Sequence, residues 1–476
     1  MNNRKRFFCV IAVVALLYSA AVSQELTPKE QLGKDLFFDT DLSVPPRQSC
    51  ASCHDPAVGF TGPISLVNAS GAVHPGAIPV RFGNRKPPMA AYCGESPVLH
   101  YDQILGKWVG GMFWDGRASG SRLGDPLAEQ AQGPFLNPLE QNMPHARQVC
   151  IKVAISDYAG LFEEVWGLGS LDFARDVDGV YERIAHSVAA YERSSEVSPF
   201  TSKFDLFWDN AITAGLDVSQ IGCAGSAMGG CGMGGGGGGM GGGGGGMGGG
   251  GGGGGNTIGW GAFRGMGLTD QELRGLAAFN DPGRANCASC HSLTPGEAGY
   301  PLFTNFAYDN LGLPANPENP YYTMPKKWNP DGAKWVDPGL GGYLKSAGYD
   351  EAISAAQLGK FKIPSLRNVD LRPSADFVKT YGHNGFFKSL DEIILFYAWR
   401  GLVMNGGLGL GGMGMDCEMM GGGGMGGMDP AMMCNPNLFP PPEVNQNLTP
   451  MNHFNMMDQE NILLFLKTLS DGYVAE

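Results

Sequence analysis

The sequence predicts a mainly α-helical, loop-rich protein of two similar modules, with glycine-rich insertions. Three observations predict it. Capped amphipathic segments recur along the chain, no alternating run suggests a large sheet, and one pattern of capped helix, polar loop and Cys-x-x-Cys-His occurs twice. At 43% hydrophobic and 10% aromatic, the 476 residues hold enough apolar material for two or three domains.

Residues 1–23 join Arg4-Lys5-Arg6, an apolar run from Phe7 to Tyr18 and the small residues Ala21-Val22-Ser23. That order is the pattern of a secretory signal peptide, with an uncleaved N-terminal anchor as the competing reading. No later stretch is long and apolar enough to span a bilayer, so the mature chain is expected to be soluble and exported. Its loss takes the formal charge from -13 to -16 by removing three basic residues. So acidic a protein is a poor partner for nucleic acid or anionic membranes. The charge serves general solubility, or steers a basic protein partner.

Thr27-Pro28-Lys29-Glu30 reads as a capping box that opens a helix through about Phe38. Helical periodicity follows over 146–166 and 177–193, between long loops at 55–125 and 295–350. A second box, Thr269-Asp270-Gln271-Glu272, opens Leu273 to Phe279, and a third, Ser389-Leu390-Asp391-Glu392, opens Ile393 to Trp399. Residues 459–469 form a last helix. Of the 75 glycines, 37 fall in two stretches, 222–255 and 405–428. Neither has the Gly-X-Y period of collagen. Ordering the first would cost roughly 1 to 2 kcal/mol per residue with almost no side chain to offset it, so a disordered linker is expected there. The predicted division is 24–221 and 256–404 as the two modules, 405–437 as a Gly/Met-rich insertion, and 438–476 as a helical segment completing them.

The chemistry lies in Cys50-Ala51-Ser52-Cys53-His54 and Cys287-Ala288-Ser289-Cys290-His291. Two thiols at this spacing can add across the vinyl groups of one haem, and the adjacent imidazole then serves as the proximal iron ligand. A zinc site built from both Cys-x-x-Cys pairs, or redox-active dithiols, are the competing readings.

Around these motifs the chain resembles the bacterial di-haem cytochrome c peroxidase and MauG superfamily. The resemblance rests on Phe113-Trp114-Asp115-Gly116-Arg117-Ala118, Glu129-Gln130-Ala131-Gln132-Gly133-Pro134, Asn137-Pro138-Leu139-Glu140, Pro364-Ser365-Leu366-Arg367-Asn368-Val369 and Tyr381-Gly382-His383-Asn384-Gly385. It implies two cytochrome c-like haem domains, a periplasmic location, and peroxide reduction at the N-terminal haem with electrons relayed through the C-terminal one. The implied partners are hydrogen peroxide and either a small electron donor, a cytochrome c or a cupredoxin, or an oxidisable protein or peptide. A non-enzymatic di-haem electron carrier is the rival from another class.

By resemblance, His54 is the proximal ligand of the peroxide-binding haem and His291 that of the second haem. Glu140 and Gln130 match the distal acid and amide, where a carboxylate can move a proton between peroxide oxygens; a solvated loop carboxylate is the plainer reading of Glu140. Trp114 matches an electron relay between the haems, or is a packing residue. His383 matches a histidine near their interface. His74 is the candidate for a distal histidine, though an open site or mobile loop is expected.

Tyr397 falls fourteen residues after His383, where MauG-like members carry a tyrosine as sixth ligand of the C-terminal haem and simple peroxidases a methionine. Leu390, Ile393, Ile394 and Tyr397 share one helical face, so the phenol should point inward, as ligand or as core tyrosine. Met404 is the alternative ligand, on a helix expected to end near Gly401. The family also implies calcium between the haems, which would involve Asn84 and the segment from Leu371 to Thr380.

Of the remaining cysteines, Cys223 with Cys231 and Cys417 with Cys434 would staple the glycine tracts, leaving Cys93 with Cys150. Met233, Met240 and Met247, with the cluster from Met413 to Met433, suit either Cu(I) or a low-complexity insertion without a ligand.

Overall fold

The computed structural model describes residues 25–222, 257–404 and 440–475, with side chains through residue 400 of the middle segment. The signal peptide, both glycine tracts and the pairings of Cys223 with Cys231 and Cys417 with Cys434 lie outside the described residues.

Helices dominate, and the strands form three two-stranded pairs among the described residues. The first half holds α1 (Pro28–Phe38), α2 (Ser65–Ala69), a hairpin of β1 (His100–Asp102) and β2 (Lys107–Val109), α3 (Pro126–Leu136), α4 (Ala146–Ala154), α5 (Ala159–Trp166) and α6 (Val177–Glu192). After α7 (Lys203–Thr213) come β3 (Ile221–Gly222), β4 (Ile258–Gly259) and α8 (Asp270–Asn280). Then follow β5 (Tyr308–Asp309), α9 (Gly339–Ser346), α10 (Glu351–Ala355), β6 (Phe361–Lys362), α11 (Leu390–Met404) and α12 (Met456–Lys467).

The sequence repeat is a structural repeat. In α1 the Thr27 hydroxyl accepts from Glu30 N at 3.3 Å while the Glu30 carboxylate accepts from Thr27 N at 2.7 Å, and Thr269 and Glu272 repeat both distances at the start of α8. Each capped helix then crosses a partner at a glycine. A Cβ on Gly33 would lie 1.9 Å from Ser187 O in α6, and one on Gly275 would lie 2.0 Å from Asn461 O in α12. The backbones meet where no side chain intervenes, which fixes each crossing and each core around it.

The first core gathers Leu32, Leu36 and Phe37 of α1 with Ile184 and Val188 of α6. The second gathers Leu273 and Leu276 of α8 with Ile462 and Phe465 of α12. Phe204, Phe207 and Trp208 of α7 also belong to the second core, so it recruits chain from before the glycine tract. Strands β3 and β4 pair in parallel, Ile221 opposite Ile258, and bring the two roots of that tract side by side.

Several expectations need correction. The periodicity over 146–166 is two helices, α4 and α5, parted at Ile155–Tyr158. Helices α3 and α7 arise where none was expected. Helix α11 continues through Gly401 to Met404, because one glycine costs only about 1 kcal/mol against alanine. Cys93 and Cys150 are free thiols, not a disulfide: Cys93 donates to Met89 O at 3.1 Å, and Cys150 is buried facing Val177 O.

Candidate haem sites

Both Cys-x-x-Cys-His motifs fold the same way. Cys50–Ser52 and Cys287–Ser289 are single 3-10 turns, after which the histidine points inward. His54 Nδ1 lies 3.1 Å from Phe60 O and His291 Nδ1 lies 2.9 Å from Phe303 O. A carbonyl only accepts, so each Nδ1 carries the proton and each Nε2 keeps its lone pair for a metal. Phe60 and Phe303 both take left-handed backbone, with φ of 58° and 53°, which aims these carbonyls at the rings. Burial lowers both imidazoles to about 4, so they are neutral, the form that binds iron.

The two motifs sit against separate cores, Cys50 against the first and Cys287 against the second. The zinc reading therefore fails, and among the described residues no three His, Cys, Asp or Glu side chains gather as a metal site. Haem fits instead. A cavity of about 420 Å³ opens beside Cys287, Cys290 and His291, walled by Phe279, Ile363 and Leu366. It offers two thiols at one edge, an imidazole with a free nitrogen and an apolar lining.

Helix α11 closes that cavity. Ser389 Oγ accepts from Glu392 N at 3.2 Å, as the capping pattern requires. All four residues of the predicted face, Leu390, Ile393, Ile394 and Tyr397, line the cavity. Burial drives the Tyr397 hydroxyl well above its ordinary pKa, and the Cys290 and Cys287 thiols add to the shift. Without a metal this phenol stays protonated; a ferric ion is the group that would offset the cost of ionising it. Met404 is in the last turn of α11, with its side chain outside the described set.

Trp114 and His383 reach the same cavity. Trp114 is 8% exposed, and its Nε1 donates to Lys86 O at 3.0 Å. Lys86 also acts electrostatically on His54, so the indole lies toward the N-terminal motif as well as the C-terminal cavity. His383 stacks on Phe361 with centroids 3.5 Å apart, and its Nε2 is 3.8 Å from Glu443 Oε2. The two halves are joined here by Lys86 N to His383 O at 3.1 Å and Lys362 N to Trp114 O at 2.9 Å.

Glu140 follows α3. Asn137 Nδ2 donates to its Oε1 at 2.8 Å, leaving Oε2 free. Burial raises its pKa, against the opposing charge of Arg117 and the Asn137 bond, and its charge acts on both Cys53 and Cys50. Glu140 is thus half-buried beside the N-terminal motif. Gln130 is half-buried on α3. His74 is buried and feels the charge of His54; its Nε2 is 3.3 Å from Asn68 Oδ1 and its Nδ1 is unpartnered.

The segment assigned to calcium carries a lysine: Lys379 Nζ donates to Val58 O, Asn368 O and Leu371 O at 2.9, 2.6 and 2.8 Å, so its amine already occupies these carbonyls. Beside Asn84, Arg85 is clamped between Asp337, at 2.7 and 2.6 Å, and Asp115, at 2.6 Å. The sequence left these cations unremarked, because nothing local marks a lysine or arginine as buried.

The family described as di-haem cytochrome c peroxidase matches residues 27–212. The methylamine utilization protein MauG of Paracoccus denitrificans (strain Pd 1222) is 32% identical over 398 residues, covering 82% of this chain and 81% of that protein. This chain belongs to the di-haem cytochrome c peroxidase and MauG family.

Cytochrome-c peroxidase IdrP2 of Denitromonas iodatirespirans is 23% identical over 377 residues, 77% of this chain and 72% of that protein. The crystal structure of the diheme peroxidase BthA from Burkholderia thailandensis E264 superposes with a TM-score of 0.62 at 25% identity, covering 95% of this chain and 88% of BthA. As a family member the chain is an oxidoreductase with two c-type haems and a mainly α, loop-rich fold. Among the described residues no helix is long and apolar enough to cross a membrane.

Proposed function

We propose that the protein is an exported, periplasmic peroxidase that reduces hydrogen peroxide at an N-terminal haem held by Cys50, Cys53 and His54. Electrons would arrive through a C-terminal haem held by Cys287, Cys290 and His291, from a small donor protein such as a cytochrome c or cupredoxin. The haems supply the iron that binds peroxide and the electrons that cleave it. The chain supplies orientation and proton transfer.

Glu140 carries this reading. Its Oε1 is held by Asn137, and its raised pKa lets the free Oε2 take a proton from one peroxide oxygen and return it to the other. A pure electron carrier has no use for a carboxyl so held, with a raised pKa. Gln130, on the helix leading to Glu140, is assigned as the amide donor that orients peroxide. Trp114, fixed through its Nε1, is assigned as the relay between the sites.

The test is Glu140→Gln. Peroxide turnover should fall roughly 100- to 10,000-fold, the usual worth of a positioned acid-base group, with both haems still attached. Turnover within a few-fold of wild type would overturn the assignment.

Tyr397 favours a second reading, a MauG-like oxidase of a protein or peptide partner. An anionic oxygen ligand would favour oxidised iron, where a thioether raises the potential and suits an electron-accepting haem. Tyr397 lines the cavity beside His291, which supports the tyrosine.

A further inference from the structure

The hairpin of β1 and β2 places Tyr101 directly opposite Trp108, their rings edge to face at 6.1 Å. Tyr349, at the end of the turn after α9, also meets Trp108 edge to face, at 5.3 Å. Trp108 is 7% exposed, whereas Tyr101 and Tyr349 are 44% and 43% exposed. One buried indole thus touches two phenols that open to solvent. Ile104 and Leu105, in the hairpin's own turn, are exposed as well.

The inner side of Trp108 leads to the haem region. Trp108 packs in one cluster with Tyr308, and a Cβ on Gly116 would lie 2.6 Å from the Tyr308 hydroxyl oxygen, two residues from Trp114. Lys107 and Asp309, the neighbours of Trp108 and Tyr308, form an ion pair at 2.7 Å and both line the C-terminal cavity. The Cys290 thiol donates to that same Asp309 at 3.4 Å. Electron tunnelling falls steeply with distance, so a series of oxidisable rings carries an electron farther than one jump can.

Resting on the peroxide chemistry proposed above, we infer that Trp108, flanked by Tyr101 and Tyr349, forms a second oxidation site at the surface, where phenolic one-electron donors react without entering the haem cavity. Hydrogen peroxide is the oxidant. It takes two electrons and two protons to give two waters, and each electron comes from one phenol, which leaves as a phenoxyl radical with its proton passed to water. Trp108 gives an electron inward and is refilled by a flanking phenol or the donor. An indole can be oxidised without immediate proton loss.

The test uses the haem-loaded full chain treated with peroxide in the presence of a nitroso spin trap, followed by peptide mass spectrometry. Adducts should map to Tyr101 or Tyr349 and disappear in Trp108→Phe, while that variant retains two covalent haems by pyridine haemochrome assay. Guaiacol and a tyrosine-bearing peptide serve as donors. Oxidation of at least one should fall tenfold or more in Trp108→Phe, and which one falls identifies a free phenol or a polypeptide phenol as the source. The double variant Tyr101→Phe/Tyr349→Phe, which keeps the packing, should lose the adducts too. A haem spectrum that responds to peroxide without adducts at either tyrosine, or with adducts that persist in Trp108→Phe, overturns this site alone. A spectrum that ignores peroxide overturns both this site and the reading it rests on.

Discussion

Trp114 Nε1 lies 3.0 Å from the carbonyl oxygen of Lys86, and the Lys86 ammonium stands 5.9 Å from the centroid of the same indole. One residue therefore both orients the assigned relay and sets the charge beside it. Burial lowers the Lys86 amine to about 8, so near neutral pH much of it is still charged and opposes any positive charge on the ring.

Replacing Lys86 with Met should make Trp114 easier to oxidise and should change the pH dependence of stability. In the wild type, between about pH 8 and 10.5, the unfolded chain binds a proton at Lys86 that the folded chain lacks. Stability from this group therefore rises with pH across that window, by about 3 kcal/mol. Melting temperature against pH should rise less steeply from 8 to 10.5 in Lys86→Met. Identical profiles would show that the amine is solvated.

Lys379 offers a separate check. Its amine donates to three carbonyls; Val58 O keeps Thr61 Oγ1 and Asn368 O keeps Leu371 N as donors, so Lys379→Met strips Leu371 O and should cost about 1 to 3 kcal/mol, seen as a lower melting temperature. For the same reason, removing divalent cations with a chelator should leave both haem spectra unchanged. Stoichiometric calcium in the purified protein, lost with a spectral change on chelation, would contradict the role given to Lys379.

Gly275 tests the helix crossing. A methyl group there would meet Asn461 O at 2.0 Å, so Gly275→Ala should separate α8 from α12 and destabilise the C-terminal core by roughly 1 to 3 kcal/mol. Gly33→Ala should act likewise on the first core. Haem incorporation measured separately at each motif should fall at the motif whose crossing was altered.

Tyr397→Phe should change the absorption and EPR spectrum of the C-terminal haem by removing an oxygen ligand, with haem attachment retained. An unchanged spectrum would make Tyr397 a core phenol and move attention to Met404.

Much of this was written locally. The Thr27 and Thr269 caps, the two Cys-x-x-Cys-His turns and the inward face carrying Tyr397 each depend on residues within a turn or two of one another, so spacing alone reveals them. Lys379 meets Val58, 321 residues away, and Arg85 meets Asp337, 252 residues away. Only folding makes such groups interior, and a lysine in sequence looks like a solvated one. Pairing Cys93 with Cys150 by elimination failed for the same reason, since a disulfide requires two sulfurs to meet in space.

The most direct measurement is an absorption and EPR titration of the haem-loaded protein with hydrogen peroxide, in wild type and Glu140→Gln. The wild type should respond at stoichiometric peroxide through its N-terminal haem, and the variant should respond far more slowly. Two six-coordinate, low-spin haems that ignore peroxide would contradict the enzyme reading.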